Sequence, residues 1–236
     1  MDKKIKNQLG NGNGILSKIT FKNLIMKNIL LAALFLIINN CNGQKNNTIT
    51  KQMKTFNIQK FEENKGKQGY PDEYHYKLRD DFDAKELDVT SNATMNIKTY
   101  QREITKEFYP YKYTHTYDGN GILKREVIRF NSSGIKILDF DKTGNIIKEQ
   151  NFDKDFKHSF EQIHDIVLKE KNVDIYDTRQ AVALRHDTPN AIIKKYYQIH
   201  VLNSKLIGTE WQSLPNYSFI IDDATGKIVK SSESQK

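Results

Sequence analysis

Asp141-Lys-Thr-Gly144 and Asp223-Ala-Thr-Gly226 are the stretches of this chain that look most like a reactive site. They lie in near-identical octamers, DKTGNIIK at 141–148 and DATGKIVK at 223–230. A carboxylate, a hydroxyl and a glycine at fixed spacing could serve an aspartyl catalytic site or a calcium loop. A calcium loop needs several oxygen ligands at alternate positions, and D-x-T-G supplies one carboxylate. The surroundings favour a turn. Asp118-x-x-Gly121, Asn131-x-x-Gly134 and Asp141-x-x-Gly144 each follow an aromatic residue, at intervals of 13 and 10 residues. Asp or Asn in the first position and Gly in the fourth describe a type I turn closed by a residue at positive φ. In the second octamer Asp223 is expected to cap the turn and Gly226 to take the left-handed position. Asp118, Gly121, Gly134, Asp141, Gly144, Asp223 and Gly226 are therefore read as turn residues.

The remaining candidates for chemistry are sparse. Of the histidines, His158 and His164 stand six apart, about 240° around a helix, and cannot grip one metal from one face. His186-Asp187 and Asp139-x-Asp141 are pairs without a third ligand. Asp80-Asp81 and Asp222-Asp223 occupy turn-like positions. The chain contains no G-x-S-x-G elbow, P-loop, C-x-x-C or H-E-x-x-H. The expectation is no catalytic residue, no metal, no cofactor and no enzyme.

The single cysteine has a distinctive setting. From Met26 the chain reads MKNILLAALFLIINNCNGQ, with ten apolar residues from Ile29 to Ile38 and Cys41 three residues later. Ten residues span about 15 Å as a helix, half of a hydrocarbon core, which suits a signal-peptide h-region. Residues 1–40 are read as the signal region, with Met26 as the expected start, and 41–52 as a polar tether. The net charge of +8 is concentrated here: residues 1–40 hold six Lys and one Asp, leaving 31 basic and 28 acidic side chains in the rest. Such a balanced body argues against binding the nucleic-acid backbone.

The composition, with twelve Tyr, twelve Phe and four Pro, favours a β-rich body. KREVIRF, IKILDF and NIIKEQNF flank the turns as strands, which predicts a meander of hairpins over 53–155. Asn57–Lys65 is a short helix candidate. Ser159-Phe-Glu-Gln162 has capping-box spacing, and Phe160, Ile163, Ile166 and Val167 then share a helical face up to about Lys171. Val173–Asp187 is ambiguous between helix and strand. AIIKKYYQIHVLN and YSFIIDDATGKIVK are read as long antiparallel strands with a hairpin, joined by the loop SKLIGTEWQSLPN. The predicted class is α+β: an antiparallel meander, then over 156–236 a helix packed on a C-terminal antiparallel sheet.

Two segments invite a binding role. In EFYPYKYTHTY a strand would place Tyr109, Tyr111 and Tyr113 on one face, joined by Tyr117 if it continues. These rings are either core under the helix or a solvent-facing ladder of the kind enriched at interfaces. Trp211, the only Trp, is a second candidate anchor.

The Cys41 region resembles a bacterial lipoprotein signal, and CNGQ is similar to the start of secreted Bacteroidetes lipoproteins. That resemblance implies lipidation of Cys41 and a lipid-anchored place in the cell envelope, on the periplasmic or outer-membrane face. Residues 53–172, with YDGNGILK and KTGNIIKEQNF, resemble MORN-like hairpin-repeat antitoxins found among immunity proteins. Residues 156–231, ending in YSFIIDDATGKI, resemble the PepSY module of exported bacterial proteins. The first resemblance implies a toxin domain as protein partner, the second an exported protease or an envelope assembly.

Overall fold

Strands and turns alternate along the chain from Glu73 to Asn151, and each strand pairs with the one made just before it. The computed structural model describes residues 55–79, 81–90, 98–189 and 191–233, all within one compact unit, Lys54–Lys236. Helix α1 (Ile58–Asn64) comes first, its N-terminus capped by the Asn57 side chain. The meander follows: β1 (Glu73–Arg79), β2 (Phe82–Asp88), β3 (Thr99–Lys106), β4 (Tyr111–Asp118), β5 (Leu123–Phe130), β6 (Ser133–Phe140) and β7 (Ile146–Asn151). These seven strands form one antiparallel sheet in sequence order. A 3-10 turn, Phe152–Asp155, leads to helix α2 (Phe160–Lys171). Then β8 (Ala181–Asp187), β9 (Lys195–Ile207), β10 (Glu210–Asp222) and β11 (Lys227–Glu233) form a four-stranded antiparallel sheet in the order β11-β10-β9-β8. The α+β class, with meander, helix and C-terminal sheet in that sequence, is the observed architecture.

Helix α2 begins where its local chemistry directs. Ser159 and Gln162 close a reciprocal capping box, and Asn172 ends the helix in the left-handed conformation at φ 53°. Its buried stripe of Phe160, Ile163 and Val167 joins Ala181, Ala183, Tyr197, Ile199, Phe219 and Ile221 of the small sheet. Phe130 and Ile135 of the meander enter the same cluster. The Phe130 and Phe160 rings stack at 4.2 Å and 10°. A second core lies under α1, where Phe56 and Phe61 meet Tyr100, Tyr117, Leu123 and Phe140.

That second core contains an ion pair. On β3 the inward positions are Tyr100, Arg102 and Ile104. Arg102 faces Glu86 across the β2–β3 ladder and bonds it through Nε at 2.8 Å and Nη2 at 2.7 Å. Tyr76 donates to Glu86 at 3.0 Å, and the Tyr117 hydroxyl accepts from Arg102 at 3.0 Å. A buried charge persists only when paired and hydrogen-bonded, and the Phe56 ring 5.7 Å away closes the site.

The turns differ from one another more than their sequences suggest. Asp118 and Asp141 behave as expected. Asp118 Oδ1 accepts the Asn120 and Ile122 N–H groups, and Asp141 Oδ1 those of Thr143 and Asn145. Gly121 and Gly144 take φ +77° and +85°. Gly134 does not close a turn. The β5–β6 connection is only Asn131-Ser132, Asn131 itself adopts φ +50°, and Gly134 pairs with Arg129 inside the ladder. Its missing side chain admits the Phe152 ring, 3.4 Å from where a Cβ would stand. At the second octamer the turn is capped by Asp222, the residue just before it, not by Asp223. Asp222 Oδ1 accepts from Ala224 N at 3.2 Å and Oδ2 from Thr225 Oγ1 at 2.7 Å, while Gly226 holds φ +68°. Asp223 turns inward instead. Its carboxylate accepts the Lys157 N–H at 2.9 Å and the His158 N–H at 3.0 Å, pinning the segment before α2 to the small sheet.

One ambiguity is resolved and one further expectation is corrected. Val173–Asp187 is a loop followed by strand β8. The segment SKLIGTEWQSLPN is not a loop: it carries β9 and β10 onward to a turn at Gly208-Thr209. Pro215 fits because the register shifts between Pro215 and Tyr217. The signal region, Cys41 and the tether lie outside the described residues.

Candidate interaction surface

The turn between β3 and β4 sends neighbouring side chains in two directions. Phe108 sits at φ +54°, and its carbonyl accepts the Thr178 N–H at 2.9 Å. This contact brings the turn against the loop that precedes β8. Tyr109 lies outside β4, which starts at Tyr111, so the expected run of three tyrosines on one strand face is broken.

On one side Tyr109 and Tyr111 gather with Tyr176. Tyr109 lies 5.5 Å from Tyr111 and 6.0 Å from Tyr176 between ring centroids. Tyr111 packs edge-on to Phe130 at 5.0 Å and donates its hydroxyl to Glu161 Oε1 at 2.6 Å. Burial pushes the Tyr111 phenol up, and the Glu161 carboxylate adds to the shift. Burial also works against ionised Glu161, but hydrogen bonds from Tyr111 and Ser159 prevail and hold its carboxyl below the usual range. His164 stacks on Tyr176 at 4.3 Å. Tyr111 is thus half-buried packing between meander and helix. Tyr113 is half-buried further along β4, and Tyr117 is fully buried under α1.

On the other side Phe108 meets Trp211. The rings stand edge-on at 6.0 Å. The Arg179 guanidinium lies 4.5 Å from the Phe108 centroid and 4.8 Å from that of Trp211. Asp177 clamps Arg179 through Nε at 2.9 Å and Nη2 at 2.8 Å. A cation held against two rings is attracted to their electron-rich faces. Trp211 nevertheless remains 41% exposed.

Trp211 belongs to a ribbon that outruns its sheet. β8 pairs with β9 only over Lys195–Val201, and β11 pairs with β10 only over Tyr217–Asp222. Residues 202–215 between them pair only with each other across the turn. At its base the ribbon is fastened by Leu202 N–H to Gln180 O at 2.8 Å and by the Ser204 hydroxyl to the Arg179 carbonyl. Trp211 faces Leu206 across the ladder, and Ser213 faces Ser204. Leu206 and Ile207 are 56% exposed and Leu214 is 67% exposed. A depression of about 440 Å³ lies where the ribbon meets its base, lined by Arg179, Gln180, Asn203, Ser204 and Trp211 among others.

The ribbon and its base thus present exposed apolar and aromatic side chains beside a clamped guanidinium. Among the described residues no group of three His, Cys, Asp or Glu side chains is placed to hold a metal ion. His115 is committed to Glu126 at 2.7 Å, and His158 Nδ1 lies 2.8 Å from the Asp223 carbonyl. Of the residues singled out in the sequence, the structure brings Tyr109, Tyr111 and Trp211 to the two sides of one turn and leaves Tyr113 apart. Sequence reasoning singled out Phe108 within the aromatic run EFYPYKYTHTY but missed Tyr176 and Arg179, which carry no local signal. Compared with protein-family models, curated proteins and solved structures, the chain matches none.

Proposed function

We propose that this chain is an envelope-anchored, non-catalytic binding protein whose partner is a delivered toxin domain, which it neutralises by occupying it. The observation that carries the binding role is the ribbon 202–215, which leaves Leu206 in solvent on the face of the Trp211–Arg179–Phe108 cluster and Ile207 and Leu214 in solvent on its opposite face. Trp, Tyr and Arg dominate the energetics of protein interfaces, and clustered exposed apolar side chains mark surfaces meant to be covered. Arg179, already clamped by Asp177, presents a preorganised flat face and loses little freedom on binding. Anchoring through Cys41 and the toxin as partner rest on the lipoprotein-like and antitoxin-like sequence features.

The test is affinity capture. Segment 42–236, tagged at its C-terminus, is incubated with lysate and secreted protein of its own strain and of close relatives, and retained proteins are identified by mass spectrometry. A toxin domain supports the proposal. An exported protease would instead favour the reading drawn from the PepSY-like C-terminal half, and empty capture would contradict both.

A further inference from the structure

Both hydrophobic cores draw on one face of the meander, through Tyr100 and Tyr117 in one and Tyr111 and Phe130 in the other. The opposite face carries charge, and most of it is matched between neighbouring strands. Lys77 meets Asp83 at 2.8 Å, Lys85 meets Glu103 at 3.3 Å and Arg125 meets Asp139 at 2.6 Å. The start of β4 breaks this pattern. Lys112 stands directly opposite Arg129, and directly opposed like charges destabilise a sheet. Across the next ladder Arg129 pairs with Gly134, which offers no side chain. Arg129 has no hydrogen bond or ion pair from its side chain among the described residues. Lys112 reaches Glu103 at 2.8 Å, but Glu103 already serves Lys85. Burial works against ionised Glu103, yet Lys112 and Lys85 prevail and hold its carboxyl below the usual range. Three cations thus share one carboxylate.

We propose that Lys112 and Arg129 form a carboxylate-reading site, on which the protein partner of this chain docks an acidic segment. The inference rests on the partner-binding reading above and adds the partner's chemistry. Charge selects the occupant: a carboxylate placed between Lys112 and Arg129 removes their mutual repulsion and supplies the acid that Arg129 lacks. A guanidinium takes a carboxylate through two parallel N–H bonds, and the Lys112 ammonium adds a further charged donor. The phosphate chain of a nucleic acid fits less well, because Asp83, Glu103 and Asp139 are interleaved with the cations on the same face. The site also continues the ribbon surface. Lys112 follows Phe108 by four residues, and the bond from Thr178 N–H to Phe108 O at 2.9 Å fixes that turn to the loop carrying Arg179. One partner covers Trp211 with apolar groups and Arg129 with an acidic one.

The experiment is an NMR titration of the isotope-labelled full chain in mild detergent, with tetraglutamate, tetralysine and inorganic phosphate as probes. Tetraglutamate should shift the Arg129 Nε–H signal and the Thr114 amide saturably, and tetralysine should shift neither. Read at the Thr114 amide, Arg129→Gln and Lys112→Gln should each weaken tetraglutamate binding about tenfold or more. Arg129→Lys, which keeps the charge but not the fork, should fall between Arg129→Gln and wild type. Arg129→Gln should also unfold at a urea midpoint equal to or above that of wild type, because it removes an opposed like-charge pair. An arginine kept for the fold would lower that midpoint when replaced. The absence of a saturable tetraglutamate shift, tighter binding of phosphate than of tetraglutamate, or a lower urea midpoint for Arg129→Gln would each overturn the proposal. These readings need no natural partner, so they are separate from the capture experiment. A captured toxin domain retained equally by Arg129→Gln would overturn this site and leave the ribbon reading standing.

Discussion

Asp223→Ala should loosen the join between α2 and the small sheet, at a cost that Asp222→Ala does not share. The Asp223 side chain is 4% exposed and accepts the Lys157 N–H at 2.9 Å and the His158 N–H at 3.0 Å. Hydrogen bonds to a charged group contribute about 1.5–3 kcal/mol each, and a donor left buried without a partner adds a desolvation cost. Lys157 is itself exposed, so water recovers part of the loss, and about 3 kcal/mol is expected. That is a large fraction of the roughly 5–15 kcal/mol that holds a domain folded. Asp222 makes its bonds to Ala224 and Thr225 at an exposed turn, so its truncation should cost under about 1 kcal/mol. Equilibrium urea unfolding at constant slope reads both values from the shift in midpoint. Asp223→Asn, which keeps one acceptor oxygen, should fall between them. If Asp223→Ala unfolds within about 0.5 kcal/mol of wild type, or Asp222→Ala proves costlier, the assignment of the two carboxylates is wrong.

Other expectations follow from the same contacts. Gly121→Ala should cost about 2 kcal/mol or more by thermal or urea unfolding, because Gly121 holds φ +77° and an added Cβ would stand 2.5 Å from the Phe56 carbonyl oxygen. Gly208→Ala, at φ +65° with open space around it, should cost only the backbone strain of about 1 kcal/mol. Asp141 is held at about 2, first by the Thr143 hydroxyl and then by the Asn145 N–H. Its pKa is lowered on folding, so the support it gives the β6–β7 turn is present above the ordinary carboxyl range and is lost as pH falls towards 2. An NMR titration should find the Asp141 carboxyl and the Thr143 and Asn145 amides moving together with that midpoint; a midpoint near 3.8, the unperturbed value, would refute the capping. Tyr111→Phe removes the 2.6 Å bond to Glu161, should cost about 1 kcal/mol, and should let the Glu161 carboxyl titrate at higher pH than in wild type.

The fold was legible wherever a local rule was enough. The aromatic–Asp–x–x–Gly spacing marks hairpins because turn geometry is written in a few adjacent residues, and Ser159 with Gln162 marks the start of α2 for the same reason. Rules of this kind fail where a distant partner decides. DATG in the second octamer is a turn, but which of Asp222 and Asp223 caps it depends on the N–H groups of Lys157 and His158, more than 60 residues away. Gly134 carries the same spacing as Gly121, yet the two-residue connection Asn131-Ser132 moves it into the strand. Glu86 and Arg102 sit at inward positions of ordinary-looking strands, and only the register between them makes an ion pair. The ribbon was missed because Gly208, Pro215 and two serines punctuate it like a loop, while its strand character comes from cross-strand pairing. The candidate interaction surface was half visible for the same reason: Tyr109, Tyr111 and Trp211 stand out by type, but Arg179 becomes notable only when Asp177 and two rings surround it.

The most direct test of the binding role is the capture experiment run side by side on wild type, Trp211→Ala and Leu214→Asp. Both substitutions lie on the exposed ribbon and should leave the urea midpoint within about 1 kcal/mol of wild type. The prediction is that wild type retains one dominant protein partner and that both ribbon variants lose at least about tenfold of it, in line with the 1 kcal/mol or more that a central anchor contributes. Undiminished capture by both variants would contradict the claim that this chain works through its ribbon.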